Sequence, residues 1–543
     1  DYFGVLELTR RLEDLTMSRF KDIACIDVVN NKCKDVRALS VHAISQRFEY
    51  YALSWNPDTV HGDEDIRTKL TPYLNSLLTP GFLLEIMQSY RIRLEEEILN
   101  LTRTAISMYF LKKTEGDIAS SCPVRTVGND RSNEDNIDHL RLLNFESFVS
   151  FLELMIEHLS VLILRASGVV EVVRCHLDTL VEDIAISWQQ KGTPKPLYTK
   201  IMEHTYGALD FVCEKAQRTV HDLLRARKEQ HLHLSLFEAE ELWKVNSDFI
   251  ALCEKKSRTH SYVLRNTLVR QTKSLYERMS DKHVAQLVNS LDSEKWKDCD
   301  ISISMQTFMT GLANGQVVLP VSGFENTDSN PDVPRNKNLS FSGESFHLVN
   351  SAVVMLKFIA DYLSFVNCFP IFANDVQQAV LSLFRTFNQR SRQLILNGGA
   401  FSSGVVRSIT VKHLALNSQC LGLLILLVPI IRSHLSQFMQ DKHHIFFCDL
   451  ESLIDMMNEH RDLIFSKFVD IILTRVLNAS KISREASSTC FNQADVVQAS
   501  SYMKSIVCDL KAMHRVLYEL LPTAQLQDIF SRIMGKFVFL LIT

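Results

Sequence analysis

An all-α protein, an elongated stack of helical bundles, is the fold class that this sequence predicts. Three observations predict it. Glycine and proline are scarce, 17 and 12 among 543 residues, which disfavours a turn-rich β protein. Leucine-rich segments laced with charge keep their apolar residues three and four apart over long windows. The stretch Leu421 to Ile431 carries no polar residue, and a helix without a polar face has to be surrounded by other helices. That run of eleven residues is too short to span a bilayer and suits a buried helix. The chain is too long for one compact core, and helices of roughly 25 residues stacked end to end reach on the order of 100 Å.

Residues 1–114 read as an N-terminal helical bundle. Val5, Leu8, Leu12 and Leu15 keep helical spacing, as do Leu94, Ile98, Leu101 and Ile106. Asn56-Pro57-Asp58 and Thr79-Pro80-Gly81 break it. Asp1 is not an initiator methionine, so the sequence is expected to begin inside a longer protein. Residues 115–136 are polar and carry Pro, Gly and Ser, as a linker does.

A middle bundle is expected over 137–310. Leu140, Leu143, Phe145, Phe148, Phe151, Leu152 and Met155 form its first apolar stripe. Gly192 to Pro196 makes a turn, and a long helical region follows from Tyr198 to about Leu291. It bears basic groups at Arg225, Arg227, Lys228, Lys255, Lys256, Arg258, Arg265 and Arg270. They alternate with acids and apolar residues. Two readings stay open: a solvated helix face, or a contact with an acidic partner or anionic lipid.

Residues 311–337 collect Gly, Asn, Asp and Pro and form a second linker. The C-terminal bundle, 338–543, opens with alternation over 339–349 around Ser342-Gly343-Glu344, a short β-hairpin and the one β element expected. A helix from Ser351 to Val366 follows. Asn374 or Asp375 can cap the next helix, whose stripe is Val376, Val380, Leu383, Phe384, Phe387 and Leu394. Gly398 sits where a left-handed residue closes a helix, and Thr410 can cap the apolar helix that ends near His434. Further helices are expected over 446–478, 495–521 and 525–542, with a polar loop at 480–493 and Pro522 as a stop.

Local signatures of chemistry are absent. Gly398-Gly399 matches neither phosphate-binding glycine pattern and follows a helix rather than a strand. His231, His233 and Glu238 do not converge on an ion, because residues two apart on a helix point apart; the pair His443-His444 near Asp441 and Asp449 reads as a loop. Glu95, Glu96 and Glu97 spread over different helix faces. No nucleophile elbow or Cys/His constellation appears. Twelve cysteines stand singly without CxxC spacing, as reduced thiols in a cytosolic setting do. A net charge of -4 lacks the basic excess of a nucleic-acid binder. No catalytic, cofactor-binding or metal residue is therefore assigned, no cofactor is expected, and the chain reads as a non-enzyme.

One stretch resembles a known family. Phe387, Asn388, Arg390, Ser391, Gln393, Leu394, Leu396, Gly399 and Ala400 resemble the FNxRSxQLxLxxGA signature of the vacuolar protein sorting-associated protein 54 family. The likeness continues through Ile409, Thr410, Lys412, Leu414, Ala415, Leu416, Ser418, Cys420, Pro429, Arg432 and His434. Leu291, Asp292, Glu294, Trp296, Lys297 and Asp300 are similar to the family's LDxExWKxxD element, in which Trp296 is expected to anchor a helix end with its indole N–H satisfied. Leu142 to Phe145 and a run from Met513 to Ile533 also match.

The resemblance implies the helical fold of multisubunit tethering complexes. It implies a subunit of the Golgi-associated retrograde protein (GARP) complex, acting in transport from endosomes to the trans-Golgi network. Implied partners are the other three GARP subunits, late-Golgi SNARE proteins, small GTPases and, through the C-terminal block, the endosomal membrane surface. The implied location is the cytosolic face of the trans-Golgi network and endosomes. Alternatives are a subunit of the endosomal recycling complex or exocyst, or a helical adaptor or ubiquitin-ligase scaffold.

Overall fold

The computed structural model describes residues 2–19, 26–55, 62–78, 82–116, 140–187, 195–316, 335–439, 444–487 and 501–542. The chain divides into two compact units, 1–275 and 276–543. The proposed linkers fall largely outside the described residues: 117–136 of the first and 317–334 of the second. So do the breaks at 56–58 and 79–81 and the residues Asp441 and His443.

In the first unit the all-α reading holds. Its helices are α1 (Tyr2–Arg19), α2 (Ile26–Ser54), α3 (Gly62–Leu78), α4 (Leu83–Gly116), α5 (Phe145–Ser187), α6 (Lys195–Ala226) and α7 (Leu236–Lys256), followed by the start of α8 (Val263–Asp292). The expected stripe of α5 is fully buried at Phe148, Phe151, Leu152 and Met155. It shares one apolar core with Leu70 and Leu74 of α3, Leu94 and Ile98 of α4, and Val212 and Val220 of α6.

Polar side chains fix where these helices meet. Arg165 of α5 donates to the carbonyl of Trp55 at 2.8 Å. Gly168, one turn on, lets the Trp55 indole approach α5 closely; a Cβ there would collide with the ring. Glu49 of α2 is buried and accepts from Ser89 of α4 at 2.7 Å. Asn144 accepts from the Ser147 amide and so caps α5. Ser235 and Glu238 form a reciprocal capping box at the start of α7.

The second unit holds the rest of α8, then α9 (Ile303–Ala313), α10 (Asn350–Cys368), α11 (Ala373–Ile395), α12 (Val411–Ser436), α13 (His444–Ser487), α14 (Ser501–Leu520) and α15 (Thr523–Ile542). The hairpin forms as expected, with β3 (Leu339–Phe341) paired to β4 (Glu344–Phe346). Ser342 and Gly343 both take positive φ, 51° and 83°, the geometry of a two-residue hairpin turn. The hairpin is not the one β element, however: β1 (Ile301–Ser302) pairs antiparallel with β2 (Arg335–Asn336). Two-residue strands leave too little pattern to read in a sequence. Gln306 of α9 closes the exposed edge of β3, its amide donating to the Ser340 carbonyl at 2.7 Å and accepting from the Ser340 N–H at 2.9 Å.

Helix α12 is enclosed as its composition requires: Leu414, Ala415, Leu416, Cys420, Leu421, Leu424, Leu427 and Ile431 are buried. It packs against α11, α13 and α14, and Thr410 caps it with His413 in a reciprocal box. By length and composition alone, three helical stretches would suffice to cross a bilayer, Phe145–Thr179, Asn350–Cys368 and Val411–Ser436; in the last two most residues are buried against the chain itself. Two expectations are corrected. Helix α11 starts at Ala373 with Phe372 before it and no side-chain cap, so Asn374 and Asp375 lie in its first turn. Helix α13 runs on to Ser487, through the first part of the expected polar loop.

Candidate functional surface

The family-like residues of the second unit are packing staples. Phe387 and Ser391 of α11 are completely buried, and Leu394 and Ala400 nearly so. Asn388 Oδ1 accepts from His460 Nδ1 of α13 at 2.8 Å, and the other ring nitrogen lies 3.4 Å from the Asn417 amide of α12. Three helices thus meet on one buried imidazole. Burial and nearby Arg392 push its pKa down to about 4, so it is neutral, with its proton on Nδ1.

Arg390 forks onto Asp292, Nε to Oδ1 at 2.7 Å and NH2 to Oδ2 at 2.9 Å, while NH1 reaches Gln393 at 3.0 Å. The two family-like elements, around 291–300 and 387–400, therefore touch. Gly398 has φ 77°, and Gly399 passes so close to α11 that a Cβ would meet the Gln393 carbonyl at 2.9 Å. That is the physical demand behind the Gly-Gly pair.

The element around Trp296 works through its neighbour. Glu294 is buried and accepts from the amide of Ser351 at 2.7 Å and that of Trp296 at 3.1 Å. A carboxylate at the start of α10 answers amides that the helix leaves open and suits the positive end of its dipole. Trp296 is buried with φ 52°, but its indole Nε1 finds no acceptor among the described residues, so the expected satisfied anchor is corrected. In the sequence Glu294 is marked only by its place in the LDxExWKxxD pattern, since a lone glutamate near a tryptophan carries no further signal.

The basic series of α6 to α8 does not form one face. Arg227 is buried, donates to the carbonyls of Leu140 at 2.7 Å and Leu143 at 2.9 Å, and stacks over Phe148. Arg265 pairs with Glu254 at 2.8 Å and Arg258 lies over the Tyr206 ring. Arg225, Lys228, Lys255 and Arg270 are exposed.

The candidate histidines do not share a helix: His231 ends a one-turn helix and His233 lies in the turn after it. His231 is buried and bonded to Gln271 at 2.8 Å, with its pKa pushed down to about 4 by burial, and Glu238 serves the cap of α7. Glu95 pairs with Lys215 at 2.9 Å and Glu96 with Arg93 at 2.7 Å. Among the described residues no three His, Cys, Asp or Glu side chains form a group that could hold a metal ion. Eight cysteines in the described residues are free thiols, four of them buried.

These features define an all-α protein whose singled-out residues serve packing. The comparisons then supply a family. Residues 343–475 match the family described as Vps54-like protein. Vacuolar protein sorting-associated protein 54 of Homo sapiens is 26% identical over 362 residues, 65% of this chain and 35% of the relative. The Arabidopsis thaliana protein, named as chloroplastic, is 22% identical over 602 residues, covering 87% of this chain and 57% of the relative. The Drosophila melanogaster protein is 28% identical over 176 residues, 32% of this chain and 18% of the relative. The matched part of the chain spans about a third of the human relative's length. Among solved structures, the S. cerevisiae exocyst component Exo70p aligns over 95% of this chain and 89% of its own, at 12% identity and a TM-score of 0.39, a likeness too slight to carry an inference. The family recognised in the signature residues is thus the one that the comparisons return.

Proposed function

We propose that this chain is a non-enzymatic subunit of a vesicle-tethering complex of the GARP type, acting in retrograde transport from endosomes to the trans-Golgi network. One observation carries the reading: the Vps54-like match, residues 343–475, falls within the second unit and takes in Asn388, Arg390, Ser391 and Gly399, which hold its helices in register. A helical scaffold of this kind acts through shape and surface, holding two objects apart while binding each. Its partners are the other three GARP subunits, with late-Golgi SNARE proteins, small GTPases and the endosomal membrane as further contacts. Its place is the cytosolic face of the trans-Golgi network and endosomes.

Affinity purification of the chain from cells, followed by mass spectrometry, tests this. The expected result is stoichiometric recovery of the other GARP subunits. Recovery of exocyst subunits or of ubiquitin-ligase components in their place overturns it.

A further inference from the structure

We infer that the outer face of α14 is a docking surface for an acidic amphipathic helix of a partner protein. The inner face of this helix is spent on its own unit: Ile506, Met513, Leu517 and Leu520 are buried, and the helix packs on α12 and α13. The outer face carries Lys504, Lys511 and Arg515, seven and four residues apart, all exposed and none in an ion pair among the described residues. At 1.5 Å per residue the three cations form a stripe about 16 Å long. Val507 and Tyr518, 42% and 66% exposed, edge it with apolar surface. No carboxylate stands between Lys504 and Arg515 on that face; Asp509 points to the side and pairs with Arg475 of α13.

The same unit shows what such a stripe takes. Helix α13 presents Glu451, Asp455, Glu459 and Asp462 at three- and four-residue spacing. Neighbouring helices answer three of these with arginines: Arg432 reaches Glu451 at 3.0 Å, Arg392 reaches Glu459 at 3.6 Å and Arg532 reaches Asp462 at 3.3 Å. An acidic stripe twelve residues long is thus held by cations projecting from adjacent helices. Helix α14 displays the complementary half, and among the described residues no carboxylate pairs with it. Opposite charge in this arrangement sets register and speeds encounter, while the flanking Tyr518 and Val507 supply contact area. The surface is one helix wide and bordered by Glu519, which fits a second helix better than a flat anionic membrane.

The test uses the full chain and a fluorescent synthetic helix with glutamates at i, i+4, i+8 and i+11 flanked by leucines. A peptide of equal composition with the glutamates dispersed around the helix is the control. The proposal expects saturable binding, at least tenfold weaker for the control and for the K504E/K511E/R515E variant, and weakened by raised salt. The three positions are exposed, so an unchanged melting curve shows that the variant is folded. Equal binding of the two peptides, or binding untouched by charge reversal, overturns the proposal. So does sedimentation with phosphatidylserine vesicles that the triple variant abolishes, which would make the stripe a lipid contact.

Discussion

The two units solve one problem in different ways. Both bury polar side chains, but the first sets them at separate points between long apolar stripes, Glu49 on Ser89, Asn246 on the Leu242 carbonyl and Arg227 on the carbonyls of 140 and 143. The second links them across three helices at its centre, where Asn388, His460 and Asn417 are all buried and meet on the imidazole. Apolar packing tolerates exchange of one aliphatic residue for another, whereas a buried hydrogen-bonded group fixes both identity and geometry. The match to the Vps54-like family, residues 343–475, lies wholly in the second unit and takes in this linked centre.

Perturbations of decreasing size sharpen the contrast. The largest is Leu424→Asp, which sets an unpaired charge among buried residues of α12. It should cost several kcal/mol and unfold the second unit while the first still melts cooperatively, as calorimetry would show. Acid comes next. His283 and His460 in the second unit, and His231 in the first, are held neutral with pKa values pushed down to about 4 by burial. Their folded pKa lies below the ordinary 6.5, so the unfolded chain binds more protons between those values. Their stabilisation is complete above about pH 6.5 and falls as pH drops towards 4, by up to about 3 kcal/mol for each histidine. Burial lowers His413 and His434 of the second unit as well, against His176 alone of the first, so urea titrations at pH 7 and pH 5 should show the second unit losing more stability.

Gly168→Val tests the first unit. It drives a branched side chain into the Trp55 ring and should cost about 1–3 kcal/mol, read as a lower melting temperature of that unit alone. Asn388→Ala leaves the His460 N–H without its acceptor inside the core and should cost about 1–3 kcal/mol, with no change in the first unit. Asp292→Ala is the mildest. The Arg390 pair is about two-fifths exposed, and its loss should stay within about 1 kcal/mol in denaturant titration.

Much of this architecture was legible in the residues. The apolar helix at 411–436, its Thr410 cap, the left-handed Gly398 and the 339–346 hairpin all follow from local pattern, because each depends on neighbours in the chain. What escaped the sequence depends on distant pairing. Glu294 meets Ser351, Arg227 meets Leu140 and His460 meets Asn388 across dozens of residues, and no local period marks such partners. Gly168 was the nearest to a visible signal, an isolated glycine within an apolar helical stripe, which points to a close approach without naming the indole that makes it. The basic residues of α6 to α8 show the reverse failure, since charge alone did not reveal that Arg227 is interior.

The central claim is that the signature residues hold the second unit together. Hydrogen exchange of the intact chain, with and without Asn388→Ala, tests it most directly. The account predicts that amides of 380–395, 411–431 and 453–472 lose protection together in the variant while those of 145–177 keep theirs. Loss confined to the turn around residue 388, or equal loss in both units, would contradict it.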